Sequence, residues 1–537
     1  MIVAVGGCTG GASGRAPVEL ASRQVLKVGV TSDVRTLDPA LIVPGDTEGS
    51  TAMMIANNVF GGLFRLDGRL DEVPDIATGP PQISADGLDY TFTLRPDAVF
   101  SNGDPVVAQD FVYSWNRVVV KEGAHASNFS AIRGYADLAA HRVAAMSGLV
   151  AGGDHTLRVT LSAPSGWFPT ALAMWPAYVV DWRVIQARGE DDWWTSPAGL
   201  VGTGPFRMSD RVPGQSLDFV PIDRYWRGPT GVLRRVDIGI ESSFDIAVRR
   251  YREGAYDVLA PLDLVKPFPK DLDQVGRGQV KLVPDAGADR ILFNFDQGPF
   301  AGIDEGRKGR LALSLAIDRK ALARAVCGID QFCEPASGLI PEGLRGYRAD
   351  DPAGRFDPGL ARMLLDEWDP NRSKVRDLTY VYGSAPPLQT IAEDLHAQWK
   401  RNLGLDVKLV PVDPTIVDTQ EGVYPMFHEG FIADYNHPQD WYDQFLSLAP
   451  PFFDNLPNYG RYANPSFDAL VNRADREPVD RALGDYARAD AVLANDAAYA
   501  PLIYLLRAYV IKPNVQGVGA SAFFHDSPWS DVRILQS

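Results

Sequence analysis

The sequence predicts an α/β protein built from about three or four domain-sized units. Three observations carry that reading. The chain has 537 residues, too many for one hydrophobic core. Residues 378–410 read strand, helix, strand, which suits a parallel crossover unit. Residues 90–119 read as an alternating strand followed by an amphipathic helix.

In chain order, Val25 to Val30 alternates enough to be a strand and runs into the turn signal Thr36-Leu37-Asp38-Pro39. A helix is expected over Met53 to Leu63, broken at Gly61-Gly62. Tyr90, Phe92 and Leu94 alternate with Thr91, Thr93 and Arg95, and Asn102-Gly103 marks a turn. Val107, Phe111 and Trp115 then recur every four residues on one helix face. A helix is expected over Arg310 to Val326. Asp357-Pro358 reads as an N-cap and first-turn proline opening a helix through Trp368. Leu378 to Tyr382 is a strand, Leu388, Ile391, Leu395 and Trp399 mark a helix face, and Asp406 to Val410 is a strand again. No internal repeat is present.

Composition excludes several functions. The formal charge of −16 argues against a nucleic-acid partner, which would need a basic face. No apolar run approaches the roughly 20 residues of a membrane span. Phosphate-binding, zinc-protease and serine-hydrolase motifs are absent, and Gly202-Thr203-Gly204 lacks the third glycine of a dinucleotide loop. The acid pairs Asp191-Asp192 and Asp350-Asp351 read as solvated surface. No enzyme activity, cofactor or metal is expected.

The segment from Tyr90 to Arg117, with its core Tyr-Thr-Phe-Thr-Leu-Arg-Pro-Asp, closely resembles the signature of the bacterial oligopeptide- and dipeptide-binding proteins of ATP-driven importers. Further matches fall in the family's order: Asn58 to Leu63, Val201 to Phe206, Tyr225-Trp226, Tyr251 to Asp257, Leu292 to Asn294, Ala316-Ile317-Asp318-Arg319 and Gly338 to Pro341. The resemblance covers residues 25–537. It implies a two-lobed periplasmic-binding-protein fold of the large peptide-binding class, with an extra inserted domain. By analogy, residues 25–60, 181–286 and 507–537 form a discontinuous first lobe. Residues 61–180 form the inserted domain, and residues 287–506 the second lobe. The implied function is capture of short peptides in an interlobe cleft by hinge closure. The peptides would then pass to the permease subunits of the importer and the ATPase subunits behind them. A monomer outside the cytoplasm is expected.

The site residues follow from the same resemblance. Asp434, in Gly430-Phe431-Ile432-Ala433-Asp434-Tyr435-Asn436, matches the aspartate that takes a peptide's ammonium group. Phe431 is expected to wall the first side-chain pocket, Tyr504 to stand where the family has pocket tyrosines, and Phe129 to touch ligand from the inserted domain. Asn436 is a further candidate, and Leu41 to Gly45 a candidate for main-chain pairing with the ligand. Core packing is the competing reading for each aromatic. Some relatives carry basic residues that receive the peptide's carboxyl end. Here the comparable segment is Thr419 to Gly422, without arginine, so His428 is the remaining donor. The family framework can also carry an oligosaccharide, haem or a metal chelate, and Trp193, Trp194 and Trp441 would suit sugar stacking. A cleft hydrolase using a carboxylate pair is the rival from another class.

Met1 to Cys8 resembles the end of a bacterial lipoprotein signal, with small residues ahead of a cysteine that becomes lipidated. The basic start is missing and the apolar part is short. Either the true start lies upstream and Cys8 is the lipid attachment point, or Cys8 is an ordinary thiol. The other two cysteines, Cys327 and Cys333, match no common zinc spacing. A local disulfide is the reading for an exported protein, and two buried thiols the alternative.

Overall fold

The computed structural model describes residues 19–44, 47–262, 275–327, 333–413, 423–447, 458–519 and 528–536. Its centre is one 11-stranded mixed sheet. We number its strands β1 (Val25–Val30), β2 (Phe206–Val212), β3 (Ser216–Pro221), β4 (Arg235–Ile240), β5 (Val258–Leu262) and β6 (Val280–Phe293). The rest are β7 (Cys333–Pro335), β8 (Thr379–Gly383), β9 (Lys408–Val412), β10 (Met426–Ile432) and β11 (Tyr499–Ile511). The order is β9-β8-β10-β6-β11-β5-β1-β4-β3-β2, with β7 also on β11.

The two long strands β6 and β11 pair antiparallel and run through both lobes. Val280–Pro284 pairs with Leu506–Val510 on the side where β5 also joins β11. Ala288–Leu292 pairs with Tyr504–Tyr499 on the side where β10 joins β6. Between these stretches the register breaks, from Pro284 to Ala288. Pro284 has no amide hydrogen to give the ladder. Gly287 is confined differently: a Cβ there would stand 2.7 Å from Leu505 Cδ1. The sheet is therefore continuous between the lobes but weakest where it crosses.

The expected crossover is present in the second lobe. β8 and β9 pair parallel, joined by the helix Pro386–Leu403, whose Ile391, Leu395 and Trp399 are buried. Helix Pro358–Trp368 opens as expected, with the Asp357 carboxylate accepting from Leu360 N at 3.0 Å. Two expectations shift. The first helix spans Thr47–Val59, earlier than its apolar run suggested. The helix expected over 310–326 is two helices, Ile303–Leu315 and Arg319–Cys327. The break serves Arg319. Its buried guanidinium donates to Pro501 O at 2.6 Å and Ser314 Oγ at 2.9 Å, fastening the second helix to β11. Cys327 and Cys333 are joined by a disulfide between that helix and β7.

The inserted domain is a four-stranded antiparallel sheet (Gln82–Ile83, Asp89–Thr93, Thr156–Thr160, Leu149–Ala151) covered by helix Ala108–Val120. Phe111 and Trp115 fill the space beneath, as their spacing predicts, with Val119 beside them, while Val107 is half-buried just ahead of the first turn. Residues 41–44 form a turn followed by irregular chain, and Gly45 lies outside the described residues. Among the described residues no helix is long and apolar enough to cross a membrane.

Candidate functional site

β10 ends at Ile432, and the next amide, Ala433 N, still donates to Ala286 O at 2.8 Å. The chain then turns sharply. Asp434 N donates to Asp440 Oδ2 at 2.7 Å, closing the loop onto the short helix Pro438–Tyr442. His437 caps that helix, its Nδ1 accepting from Gln439 N at 3.2 Å. Burial and the charge of Arg345 push the His437 imidazole down to about 3, so it is neutral.

This loop is where the second lobe meets the inserted domain. The Asp434 side chain is 14 % exposed and faces His125, whose Nδ1 is 2.9 Å from Oδ1. The contact has the distance of an ion pair but not the alignment of a hydrogen bond, and Nε2 of His125 is buried without a hydrogen-bond partner. Beside it, Tyr435 stacks flat on Trp167, with centroids 5.6 Å apart. Arg345 reaches across to Glu72 at 2.7 Å and Asp71 at 3.0 Å. Gly166 N donates to Asp475 O at 2.6 Å.

A cavity of about 200 Å³ lies behind the Trp167–Tyr435 stack, lined in part by Ser130, Ser165, Gln439, Asp443 and Asp475. Its carboxyls are strained electrostatically. Burial, then the neighbouring aspartates, drives Asp443 well above the ordinary range, and burial lifts Asp475 to about 7. Asp440 is raised by burial and by Asp434. A second cavity, of about 240 Å³, lies away from Asp434 and is bridged by the Arg227–Asp75 ion pair at 3.1 Å.

The raised carboxyls fix a sign. In the folded state they bind more protons than in the unfolded chain. Their contribution is full below about pH 4 and is lost as pH rises through the folded values, about 7 for Asp475. The melting temperature of the ligand-free protein should therefore fall between pH 5 and pH 7.5. Asp475→Asn should flatten that fall, because Tyr486 can still donate to the amide oxygen as it does to Oδ1 at 2.6 Å. A melting curve for the variant that falls as steeply as the wild type would refute this assignment.

The other sequence candidates are not gathered at Asp434. Phe431 is buried on β10, packed at a steep angle against Trp441 with centroids 5.0 Å apart and under Arg290 at 5.5 Å. Its ring is core, because Ala288 and Phe431 share the face on which Arg290 pairs with Glu429. His428 is 6 % exposed and sits inside the lobe, 3.4 Å from Asp289, so it does not face a ligand carboxylate. Phe129 has no exposed surface and stacks on Trp115 at 5.3 Å. Tyr504 is buried, its hydroxyl accepting from Gly338 N at 2.8 Å and donating to Gly338 O at 3.1 Å. Burial pushes its phenol up to about 12. Asn436 adjoins Asp434, but its amide is engaged by Arg345 N at 2.9 Å and Leu70 O at 3.5 Å. Trp193, Trp194 and Trp441 are buried, which removes them as sugar-stacking platforms. Asp350 is 91 % exposed as expected, but Asp351 is buried and accepts from Ala353 N at 2.9 Å. Cys8 and Thr419 to Gly422 lie outside the described residues. The residues that sequence reasoning missed are His125, Trp167 and Arg345. Each is a single side chain without a spacing signal.

The arrangement is two lobes on a shared sheet, with an inserted domain docked against the second lobe beside the Asp434 carboxylate. Comparison with known proteins gives it a family. Residues 71–451 match the model of the bacterial extracellular solute-binding proteins, family 5. The chain belongs to that family. This family 5 protein is 30 % identical over 513 residues to the periplasmic murein peptide-binding protein MppA of Escherichia coli, covering 93 % of this chain and 91 % of MppA. The solved unliganded open form of MppA superposes with a TM-score of 0.80 at 27 % identity, covering 97 % of this chain and 99 % of that one. The periplasmic oligopeptide-binding protein OppA of E. coli is 29 % identical, covering 94 % of this chain and 91 % of OppA. The chain is also 28 % identical to a probable deoxycholate-binding periplasmic protein of E. coli, YgiS, covering 93 % of this chain and 91 % of that protein.

Proposed function

We propose that this protein is the extracytoplasmic receptor of an ATP-driven importer, binding short peptides by their amino end at Asp434 and handing them to the permease. The observation that carries the proposal is the Asp434 carboxylate. It sits at the junction of the second lobe and the inserted domain, nearly enclosed, with an imidazole as its facing group. A carboxylate in an enclosed site favours a ligand that brings a cation able to donate hydrogen bonds. A peptide ammonium does so. A neutral sugar does not, and an anion such as deoxycholate would be repelled.

Closure is assigned to the crossing strands β6 and β11, at the register break between Pro284 and Ala288 opposite Leu506 and Tyr504. Ligand binding must favour the closed arrangement over the open one, since equal affinity for both would shift nothing. The proposal includes lipid attachment at Cys8, so that Cys8→Ala would release the exported protein from the membrane fraction.

Native mass spectrometry of protein purified without refolding tests the ligand class. Bound masses should be those of short peptides, recovered intact, which also separates a receptor from a hydrolase. A bound sugar, haem or bile acid would overturn the reading. In titration calorimetry, N-acetylation of a bound peptide should weaken it by at least about tenfold, because the charge-assisted bond is lost.

A further inference from the structure

We propose that His125 is a specificity-determining residue of the anchor: its imidazole occupies Asp434 in the ligand-free protein and competes with the ligand's ammonium group for the carboxylate. This rests on the reading of Asp434 as the ammonium anchor.

The geometry supports competition rather than cooperation. His125 Nδ1 is 2.9 Å from Asp434 Oδ1, which leaves no room for an ammonium nitrogen between them. The imidazole has little else to hold it. Neither ring nitrogen makes a hydrogen bond, and the side chain is 11 % exposed. Its other close partner is the edge of Trp175, with centroids 4.7 Å apart, an uncharged contact. The charged groups facing it are Asp434 and, one hydrogen bond behind through the Asp434 amide, Asp440. His125 comes from the inserted domain and Asp434 from the second lobe. The contact thus holds the two together until a ligand replaces it.

Charge sets the direction. A protonated imidazole and a peptide ammonium are both cations, and in an enclosed site they repel each other across the one carboxylate they share, even with one on each oxygen. Ammonium binding is therefore favoured when the imidazole carries no charge or swings away from the carboxylate. A lower pH, which favours a charged imidazole, should then weaken peptide binding, although the peptide's own ammonium stays charged. Ligands without a free amine cannot displace the imidazole. The site thereby selects for a true cation against an internal substitute.

The test is tryptophan-fluorescence titration with a mixture of Ala-Xaa-Ala tripeptides at pH 7.0 and pH 5.5. Wild type, His125→Gln, His125→Ala and Asp434→Asn are compared. Wild-type affinity should fall by about tenfold at the lower pH, within the limit of about tenfold per pH unit for one linked proton. Both His125 variants should lose this dependence and bind more tightly than wild type at pH 5.5. The glutamine variant keeps a polar side chain of similar reach should the alanine variant fold poorly. A pH dependence in both variants equal to wild type overturns the proposal. So does weaker binding at both pH values, since the imidazole would then be supporting the ligand. Asp434→Asn separates the two levels. Wild-type affinity in that variant, or no tripeptide binding by wild type, overturns the anchor and this proposal with it. Weak binding by Asp434→Asn with unaltered His125 profiles overturns the role of His125 alone.

Discussion

Replacing Asp434 by alanine is expected to weaken binding of free-amine peptides by about a thousandfold while leaving the fold intact. Removing one partner of a buried ion pair costs about 3–5 kcal/mol, because the other charge is left enclosed and unpaired. The loop itself does not depend on the lost carboxylate. It is held by the Asp434 amide donating to Asp440 at 2.7 Å and by Ala433 N donating to Ala286 O at 2.8 Å, and both survive the substitution. The variant also relieves Asp440, whose carboxyl is raised by burial and then by the charge of Asp434. Thermal stability should change little at neutral pH, the relief of Asp440 offsetting the lost His125 contact, while affinity collapses. Calorimetry and melting on one preparation separate the two. Retained affinity removes Asp434 from the site. Lost affinity with a lost melting transition would make Asp434 a structural residue.

The architecture was legible because it rests on repeated signals. β1 falls where alternation placed it, and the crossover of β8, helix Pro386–Leu403 and β9 lies within two residues of its expected bounds. The broken helix at 316–318 was hidden because no glycine or proline marks the break, and Leu313, Ala316, Ile317 and Ala323 keep the spacing of one continuous apolar face. The site was legible at one position. Asp434 stood out because a motif surrounds it. Motifs did not tell which face of a strand a side chain uses. Phe431 and His428 lie on opposite faces of β10, and both are turned into the lobe. The group facing Asp434 could not be found in the sequence at all. His125 follows Gly123-Ala124 without pattern, and only the docking of the inserted domain makes it a neighbour.

That docking depends on a second buried pair, and Asp38→Ala is expected to cost about 3–5 kcal/mol of stability. Asp38 and Arg117 are 1 % and 6 % exposed. The guanidinium donates to Asp38 at 2.9 and 2.6 Å and to Glu190 at 2.8 Å. Burial works against the charge on Arg117, but its bonds to Asp38, then Glu190, outweigh that and keep it firmly protonated. Asp38 also accepts from Ala40 N at 3.0 Å and from Trp193 Nε1 at 3.4 Å, so it organises the turn whose sequence announced it. Alanine would leave a buried guanidinium with only the half-exposed Glu190. The same turn abuts the segment that carries His125. A Cβ on Gly123 would fall 2.2 Å from Ala40 O, so the two backbones are in direct contact. The pair therefore fixes the inserted domain to the first lobe at the place from which His125 reaches Asp434. Urea unfolding should show the loss as a lower midpoint with an unchanged slope. The double variant Asp38→Leu, Arg117→Met should recover much of it, since an apolar pair of similar volume avoids burying any charge. A loss below about 1 kcal/mol in Asp38→Ala would place this pair with ordinary surface ion pairs and contradict its burial.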